Sequence, residues 1–318
     1  MNLQVAVLAG GLSPERDVSL RSGRRVAEAL RESAPDWEVT EWDVDGRLLG
    51  CLAEHRPDAV IPLLHGAAGE DGALRDVLAS LELPFVGSSA RSARLAFDKP
   101  IAKALVDGAE MRTPAALALP QSTFRELGAA EVLQAVAGHL GLPVVVKPTL
   151  GGSALGPSIV RYQDEFPGAM VSSFAYADVA LIERFVDGTE LAVCVLDEGD
   201  GPTVLPPVEI VPPNGLYDYH ARYTAGTTEF FSPARLADHV LTAAADLALR
   251  VHTVLGLRDW SRTDLIVDHT GTPWFLEVNV APGMTETSLF PQSLTAAGHS
   301  VGKAMRRLVE QAVRRAAG

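Results

Sequence analysis

The feature that most constrains the fold is an alternation near the start of the chain, in which short apolar runs give way to stretches with helical spacing. Residues 4–8 (QVAVL) are an apolar run that ends in Gly10-Gly11, the pattern of a buried strand entering a tight turn. Residues 17–30 follow with helical spacing, and Val18, Val26 and Leu30 are its candidate core positions. Residues 39–44 and 59–64 repeat the strand pattern, and residues 73–81 repeat the helical one. Strands separated by helices build a parallel sheet covered on both faces. Ligands of such sheets collect at the carboxyl ends of the strands. Glu15 and His65 both fall just past strand ends, so the pattern predicts a crevice that both could line.

Farther along, helices are predicted over residues 98–106 and 131–140, with a break at Thr113-Pro114. A strand at 143–147 (PVVVK) runs into a glycine-rich loop, and strands at 180–184 and 190–196 are joined by a turn at Asp187-Gly188. The polar segment 212–229 holds three tyrosines and is long for an irregular stretch, which marks it as a candidate lid. A helix over 241–255, strands over 263–267 and 273–278, and an amphipathic helix over 301–316 complete the chain.

Bulk properties narrow the partners. At 318 residues the chain exceeds one average domain. A net charge of −13 sets it against nucleic acid and anionic membrane surfaces. No apolar stretch is long enough to span a bilayer, and Cys51 and Cys194 sit far apart in apolar surroundings, as reduced core thiols do. These observations predict a cytoplasmic protein with neither a nucleic-acid nor a membrane partner. No H-E-x-x-H, no close His/Cys cluster and no G-x-S-x-G elbow occurs, which argues against zinc and serine hydrolases.

Two features carry chemistry. Gly151-Gly152-Ser153-Ala154-Leu155-Gly156 has P-loop glycine spacing, but Pro157-Ser158 stands where Lys-Ser/Thr is required. A glycine-rich turn after a strand is often only a turn; with Lys147 just upstream, its amides could also close over phosphate oxygens. Near the C-terminus, Arg262 and Asp264 lie two apart, as do Glu277 and Asn279. Residues two apart share a strand face. Such pairs serve equally as solvated strand faces or, if the strands converge, as hard oxygen ligands of the kind magnesium prefers.

Taken in order, the stretches AVLAGGLSPERDVSLRSG (from Ala6), HGAAGEDG (His65), FDKPIAK (Phe97), VVVKPTLGGSALG (Val144) and IERFVDGTEL (Ile182) form a recognisable series. It continues with LYDYHARY (Leu216), SRTDLIVD (Ser261) and FLEVNVAPGMTETSLFP (Phe275). The series resembles the D-alanine–D-alanine ligases of the ATP-grasp superfamily across nearly the whole chain. The resemblance implies an α/β protein of three units. These are an N-terminal Rossmann-like parallel-sheet domain (1–97), a central ATP-grasp subdomain (98–185) and a C-terminal subdomain with the metal and catalytic residues (186–318).

It also implies roles. Lys99, Lys147 and Arg222 match residues that meet ATP phosphates, though Arg222 stands where a lysine is usual. Glu183 and the backbone of Arg184, Phe185 and Val186 match the adenine hinge, and Glu190 the ribose ligand. Asp264, Glu277 and Asn279 match the ligands of two magnesium ions, for which manganese can substitute. Glu15, His65 and Val18 match the site of the first D-alanine, while Ser288 and Leu289 match the loop that receives the second. Arg262 and the Gly283 amide match the donors to the tetrahedral centre, and Tyr223, Ser153 and Glu15 match a triad that closes the lid. Tyr223 favours an amine over a hydroxyl acceptor. The implied activity is ATP-dependent joining of two D-alanines through an acyl phosphate, for peptidoglycan precursors, by a homodimer. Gly151, Ala154, Arg75-Asp76 and Val280 depart from the usual family residues. The same resemblance accommodates a ligase with another acceptor or a non-catalytic nucleotide-binding relative.

Overall fold

In the computed structural model, which describes residues 2–152, 156–212, 226 and 228–317, the chain builds three sheets. The first body runs β1 (Gln4–Ala9), α1 (Arg16–Ser33), β2 (Glu38–Asp43), α2 (Leu48–His55), β3 (Ala59–Pro62), α3 (Ala67–Glu70), α4 (Ala73–Ser80) and α5 (Ala90–Phe97). Its strands pair in parallel in the order β2-β1-β3. β1 is buried from Val5 to Ala9, which is why an almost unbroken apolar run suits the central position.

The second body runs α6 (Lys99–Gly108), β4 (Ala116–Pro120), α7 (Gln121–Leu127), α8 (Ala129–Leu140), β5 (Val144–Pro148), β6 (Ser158–Val160), α9 (Phe166–Phe174) and β7 (Val179–Arg184). Its sheet is antiparallel, in the order β4-β7-β5-β6. The third contains β8 (Gly188–Leu196), β9 (Thr203–Val204), β10 (Val208–Val211), β11 (Glu229–Phe231), α10 (Asp238–Val254), β12 (Trp260–Asp268) and β13 (Pro273–Asn279). The strand order is β11-β10-β8-β12-β13, again antiparallel, with β9 on β8. α11 (Leu289–Ala296) and α12 (Val301–Ala317) end the chain.

In both antiparallel sheets one face packs on helices, and the charged side chains stand on the other, among buried apolar residues such as Leu181, Ala192 and Cys194. In the second, Val144, Val146, Ala180 and Ile182 pack under α8 and α9, so Lys147 and Glu183 point the other way. In the third, Leu191, Val193, Leu265 and Val267 pack against α10. α12 turns back onto the first body, where Met305, Leu308 and Val309 join Val26 and Leu30 of α1 in one core. Each such side chain contributes about 1.5–3 kcal/mol when fully buried.

The expected α/β class with an N-terminal parallel sheet is the fold observed. Helices α2, α5, α9 and α11, each nine residues or shorter, are not foreseen in the sequence, whose helical signal needs more turns than most of them offer. Gly188, expected in a turn, instead opens β8 opposite Asp268.

Candidate active site

The third sheet carries the densest chemistry. β12 and β13 pair Arg262 with Asn279 and Asp264 with Glu277, and then Leu265 with Phe275, so Leu276 is an extra residue. Strict alternation would set Glu277 on the side of Phe275, whose ring lies in the apolar core. The bulge at Leu276 turns Glu277 to the other side, toward Arg262, Asp264 and Asn279. Arg262 grips Asp264 as a fork, Nε to Oδ1 at 2.7 Å and Nη2 to Oδ2 at 2.8 Å, with both side chains buried. This is the strong, geometrically specific form of an ion pair. Asn279 Oδ1 accepts from Ala281 N–H at 2.7 Å, which ties the strand end to the loop beyond it.

Lysines approach these carboxylates from the second body. Asp98 caps α6 by accepting from Ile101 N–H, and Lys99 in the first turn sends its Nζ to the Gly151 carbonyl (2.7 Å) and to within 3.6 Å of Glu277. One turn on, Lys103 lies 2.8 Å from one oxygen of Glu183, while Lys147 lies 2.6 Å from the other. Burial opposes ionisation of Glu183, but the two ammoniums outweigh it and hold its pKa below the ordinary value. For Lys147 burial works the same way, and Glu183 and Glu277 overcome it, so its pKa rises. Lys103 is lowered, burial prevailing over Glu183. Beside this group runs a cleft of about 870 Å³ bordered by Lys103, Leu181, Arg184, Phe185, Val186 and Trp274. Glu190 sits at the start of β8 between Ile210 and Ile266.

The first body supplies the opposite wall. Glu15 is buried at the head of α1, and Val18 is buried one turn along. Gly66 follows the His65 bend at φ +71°, and a Cβ there would stand 2.5 Å from Glu15 Oε2. Only glycine lets the chain pass so close to that carboxylate. A Cβ on Gly152 would lie 3.2 Å from Glu15 and 3.4 Å from Glu70, so the glycine-rich loop arrives at the same place. Glu70 is buried and accepts from Gly66 N–H at 3.0 Å; burial, then the charge of Glu15, pushes its pKa up to about 8. A pocket between the three bodies is lined by Glu70, Lys99, Gly152, Arg262, Glu277 and Asn279 among others.

His65 is buried, and that burial lowers its pKa to about 4, so it is neutral. Its Nδ1 lies 3.1 Å from the Ala281 carbonyl, beside the turn that holds Gly283. Ser288 precedes α11, and its Oγ accepts from Thr285 N–H at 3.0 Å. The Leu289 side chain packs with Ala192, Val208 and Ile210. Leu289 can therefore meet a ligand through its backbone, whose amide is among those a helix start leaves unsatisfied.

A family model described as the D-ala D-ala ligase C-terminus matches residues 105–310. A D-alanine–D-alanine ligase of Pelotomaculum thermopropionicum is 36% identical over 313 residues, 98% of this chain and 98% of the relative. The chain belongs to the D-alanine–D-alanine ligase family. The D-alanine–D-alanine ligase of Bacillus anthracis complexed with ATP superposes with a TM-score of 0.80 at 26% identity, covering 99% of this chain and 98% of that one. VanG, a D-Ala:D-Ser ligase of Enterococcus faecalis, gives 0.83 at 25% identity, over 98% and 100%. The three-sheet arrangement is the ATP-grasp architecture of these ligases.

Of the residues singled out in the sequence, the structure gathers Lys99, Arg262, Asp264, Glu277 and Asn279, and sets Glu15 next to them across Gly152. Lys147 and Glu183 form the adjoining group. Ser153, Arg222 and Tyr223, and with them the lid triad and most of segment 212–229, lie outside the described residues. Glu70 and Lys103 were not anticipated. Lys103 had a signal, since Lys99 and Lys103 are four apart on a predicted helix and share a face. Glu70 stood within HGAAGEDG, but nothing in its spacing foretold its burial.

Among the described residues no three His, Cys, Asp or Glu side chains gather as a cation cage. Magnesium does not require one, because it takes one or two protein carboxylates and completes its octahedron with water and phosphate oxygens. Asp264, Glu277 and Asn279 are hard donors that fit this ion. In the structure, Arg262 and Lys99 supply the positive charge beside the two carboxylates.

Proposed function

We propose that this chain joins two D-alanines into D-alanyl-D-alanine, consuming ATP and releasing ADP and phosphate. The observation that carries the reading is the pocket in which Lys99, Arg262, Glu277 and Asn279 meet the glycine-rich loop and, across Gly152, Glu15. Charge neutralisation and positioning are what phosphoryl transfer needs, and this pocket concentrates both. Glu15 holds the ammonium of the first D-alanine, with His65 near its carboxyl group and Val18 beside it. Glu183 and the Arg184, Phe185 and Val186 backbone take the adenine, Glu190 the ribose, and Lys99, Lys147 and Arg222 the phosphates. Asp264, Glu277 and Asn279 would hold two magnesium ions, which would neutralise phosphate charge.

The first D-alanine's carboxylate attacks the γ-phosphorus of ATP, giving an acyl phosphate and ADP. The second D-alanine's amine, seated by Ser288 and the Leu289 backbone, then attacks the acyl carbon. Arg262 and the Gly283 amide stabilise the oxyanion, a donor of this kind supplying about 2.7–4 kcal/mol. Phosphate leaves and the amine loses a proton. Ser153 and Tyr223 close the site with Glu15, excluding water that would hydrolyse the acyl phosphate.

Within this reading the chain divides into units 1–97, 98–185 and 186–318, acts as a cytoplasmic homodimer, and supplies peptidoglycan precursors. That α12 packs on α1 supports one working unit rather than three separable ones. No helix among the described residues is long and apolar enough to cross a membrane. The test is phosphate release with ATP, magnesium and D-alanine, with the product identified by mass spectrometry beside L-alanine, D-serine and D-lactate. One D-alanyl-D-alanine per phosphate, with little turnover of the others, supports the reading. Turnover only with another acceptor, or ATP binding with no turnover, overturns it.

A further inference from the structure

Two residues of α1 with no part in the chemistry above reach across to a loop that has one. Ser22 is fully buried, and its Oγ accepts from Met284 N–H at 3.0 Å. The same oxygen lies 3.4 Å from His65 Nε2, while His65 Nδ1 lies 3.1 Å from the Ala281 carbonyl. A carbonyl only accepts, so Nδ1 carries the imidazole proton and Nε2 receives the Ser22 hydroxyl. The bonds therefore run in one direction, from Met284 N–H through Ser22 and His65 to the Ala281 oxygen. Both ends of this relay lie in one short stretch, with Gly283 between them. Arg25, three residues along the helix, donates to the carbonyls of Met284 (3.3 Å) and Thr285.

We propose that Ser22, supported by Arg25, is a positioning residue that fixes the 281–285 loop so that the Gly283 amide meets the oxyanion formed in the second step. The inference rests on the role proposed above for Gly283. Removing the Ser22 hydroxyl orphans a buried amide and a buried ring nitrogen, so the loop must shift to satisfy them. Displacement of a reacting donor by about 1 Å costs on the order of 100-fold in rate. Glu15 immediately precedes α1, so one helix joins the carboxylate proposed for the first substrate to the hydroxyl that sets the loop of the second. The two sites are thereby held in a fixed relation.

The test separates the two chemical steps in the full-length enzyme. Positional isotope exchange in ATP labelled at the β–γ bridge, with D-alanine present, reports acyl-phosphate formation; dipeptide formation reports the second step. Ser22→Ala should leave exchange within about twofold of wild type while dipeptide formation falls by roughly ten- to a hundredfold. The KM for ATP should not move. Backbone hydrogen exchange of the 281–287 peptide should quicken, because Met284 N–H has lost its acceptor. Arg25→Met, at a half-buried position, should show a smaller fall in the same step, and Arg24→Ala on the exposed side should show none. Exchange and dipeptide formation falling together, or neither changing, overturns the positioning role. A wild-type enzyme showing neither exchange nor dipeptide overturns the ligase reading instead, and this inference with it.

Discussion

Two clusters of opposite charges lie side by side in the cleft and are built on different ratios. Where α6 meets the second sheet, Lys103 and Lys147 share the carboxylate of Glu183, all three buried or nearly so. On the third, Arg262 forks onto Asp264, and Lys99 stands 3.6 Å from Glu277. Two cations on one carboxylate leave positive charge to offer an anion such as a phosphate. A matched pair offers an exchange, in which a divalent cation can take the carboxylate and release the side-chain cation. The difference teaches that a nucleotide and its metal need opposite kinds of site. Under the proposed reading, the Glu183 group would serve the nucleotide and the Arg262–Asp264 pair its metal.

The comparison can be broken at either cluster. The largest effect is expected from Glu183→Gln, which leaves two buried ammoniums without their shared counter-charge. Removing one partner of a buried pair costs about 3–5 kcal/mol, and urea denaturation should show a loss of that order. An unchanged midpoint would mean the lysines find other partners. Next comes Arg262→Met, for which kcat should fall by about 10²–10³ with the KM for ATP little altered. A change confined to KM would remove Arg262 from the transition state.

Glu70 sharpens the contrast because no ammonium balances it closely. Its carboxyl is pushed to about 8 from an ordinary 4.5, first by burial and then by Glu15. The native state thus keeps a proton that the unfolded chain releases near 4.5. Its contribution is full below that pH and is lost as pH rises through about 8. Glu70→Gln, which cannot ionise, should therefore gain stability on wild type as pH rises from 5.5 to 8, by up to ~1.4 kcal/mol for each pH step of one. A difference independent of pH would contradict this. The smallest effect belongs to the surface pair Arg307–Glu198, at 2.6 Å with the arginine well exposed. Arg307→Ala should change stability by less than about 1 kcal/mol, and activity not at all.

Much of this was legible in the sequence where the signal is local. The apolar 4–8 run and the spacing of 17–30 foretold β1 and α1 because strand and helix periods are short-range properties. Arg262 with Asp264 and Glu277 with Asn279 were placed on shared faces by the same logic. The bulge at Leu276, which lets Phe275 stay in the core while Glu277 faces the site, was not legible, since it depends on how β13 pairs with its neighbour. Nor was the link from Ser22 to Met284, which joins residues 262 apart in the chain. Contacts of that kind leave no mark in spacing. Family resemblance reached Glu15 and Lys147 but passed over Lys103 and Glu70, whose weight comes from burial among other charges.

Manganese binding, followed by electron paramagnetic resonance as the ion is titrated into protein with and without ATP, tests the division of labour most directly. Wild type should hold the ion far more tightly when ATP is present. Asp264→Asn should lose most of that binding, while Glu70→Gln, in the pocket lining but outside the proposed ligand set, should retain it. Asp264→Asn binding the ion as wild type does would contradict the assignment of the third-sheet carboxylates to the metal.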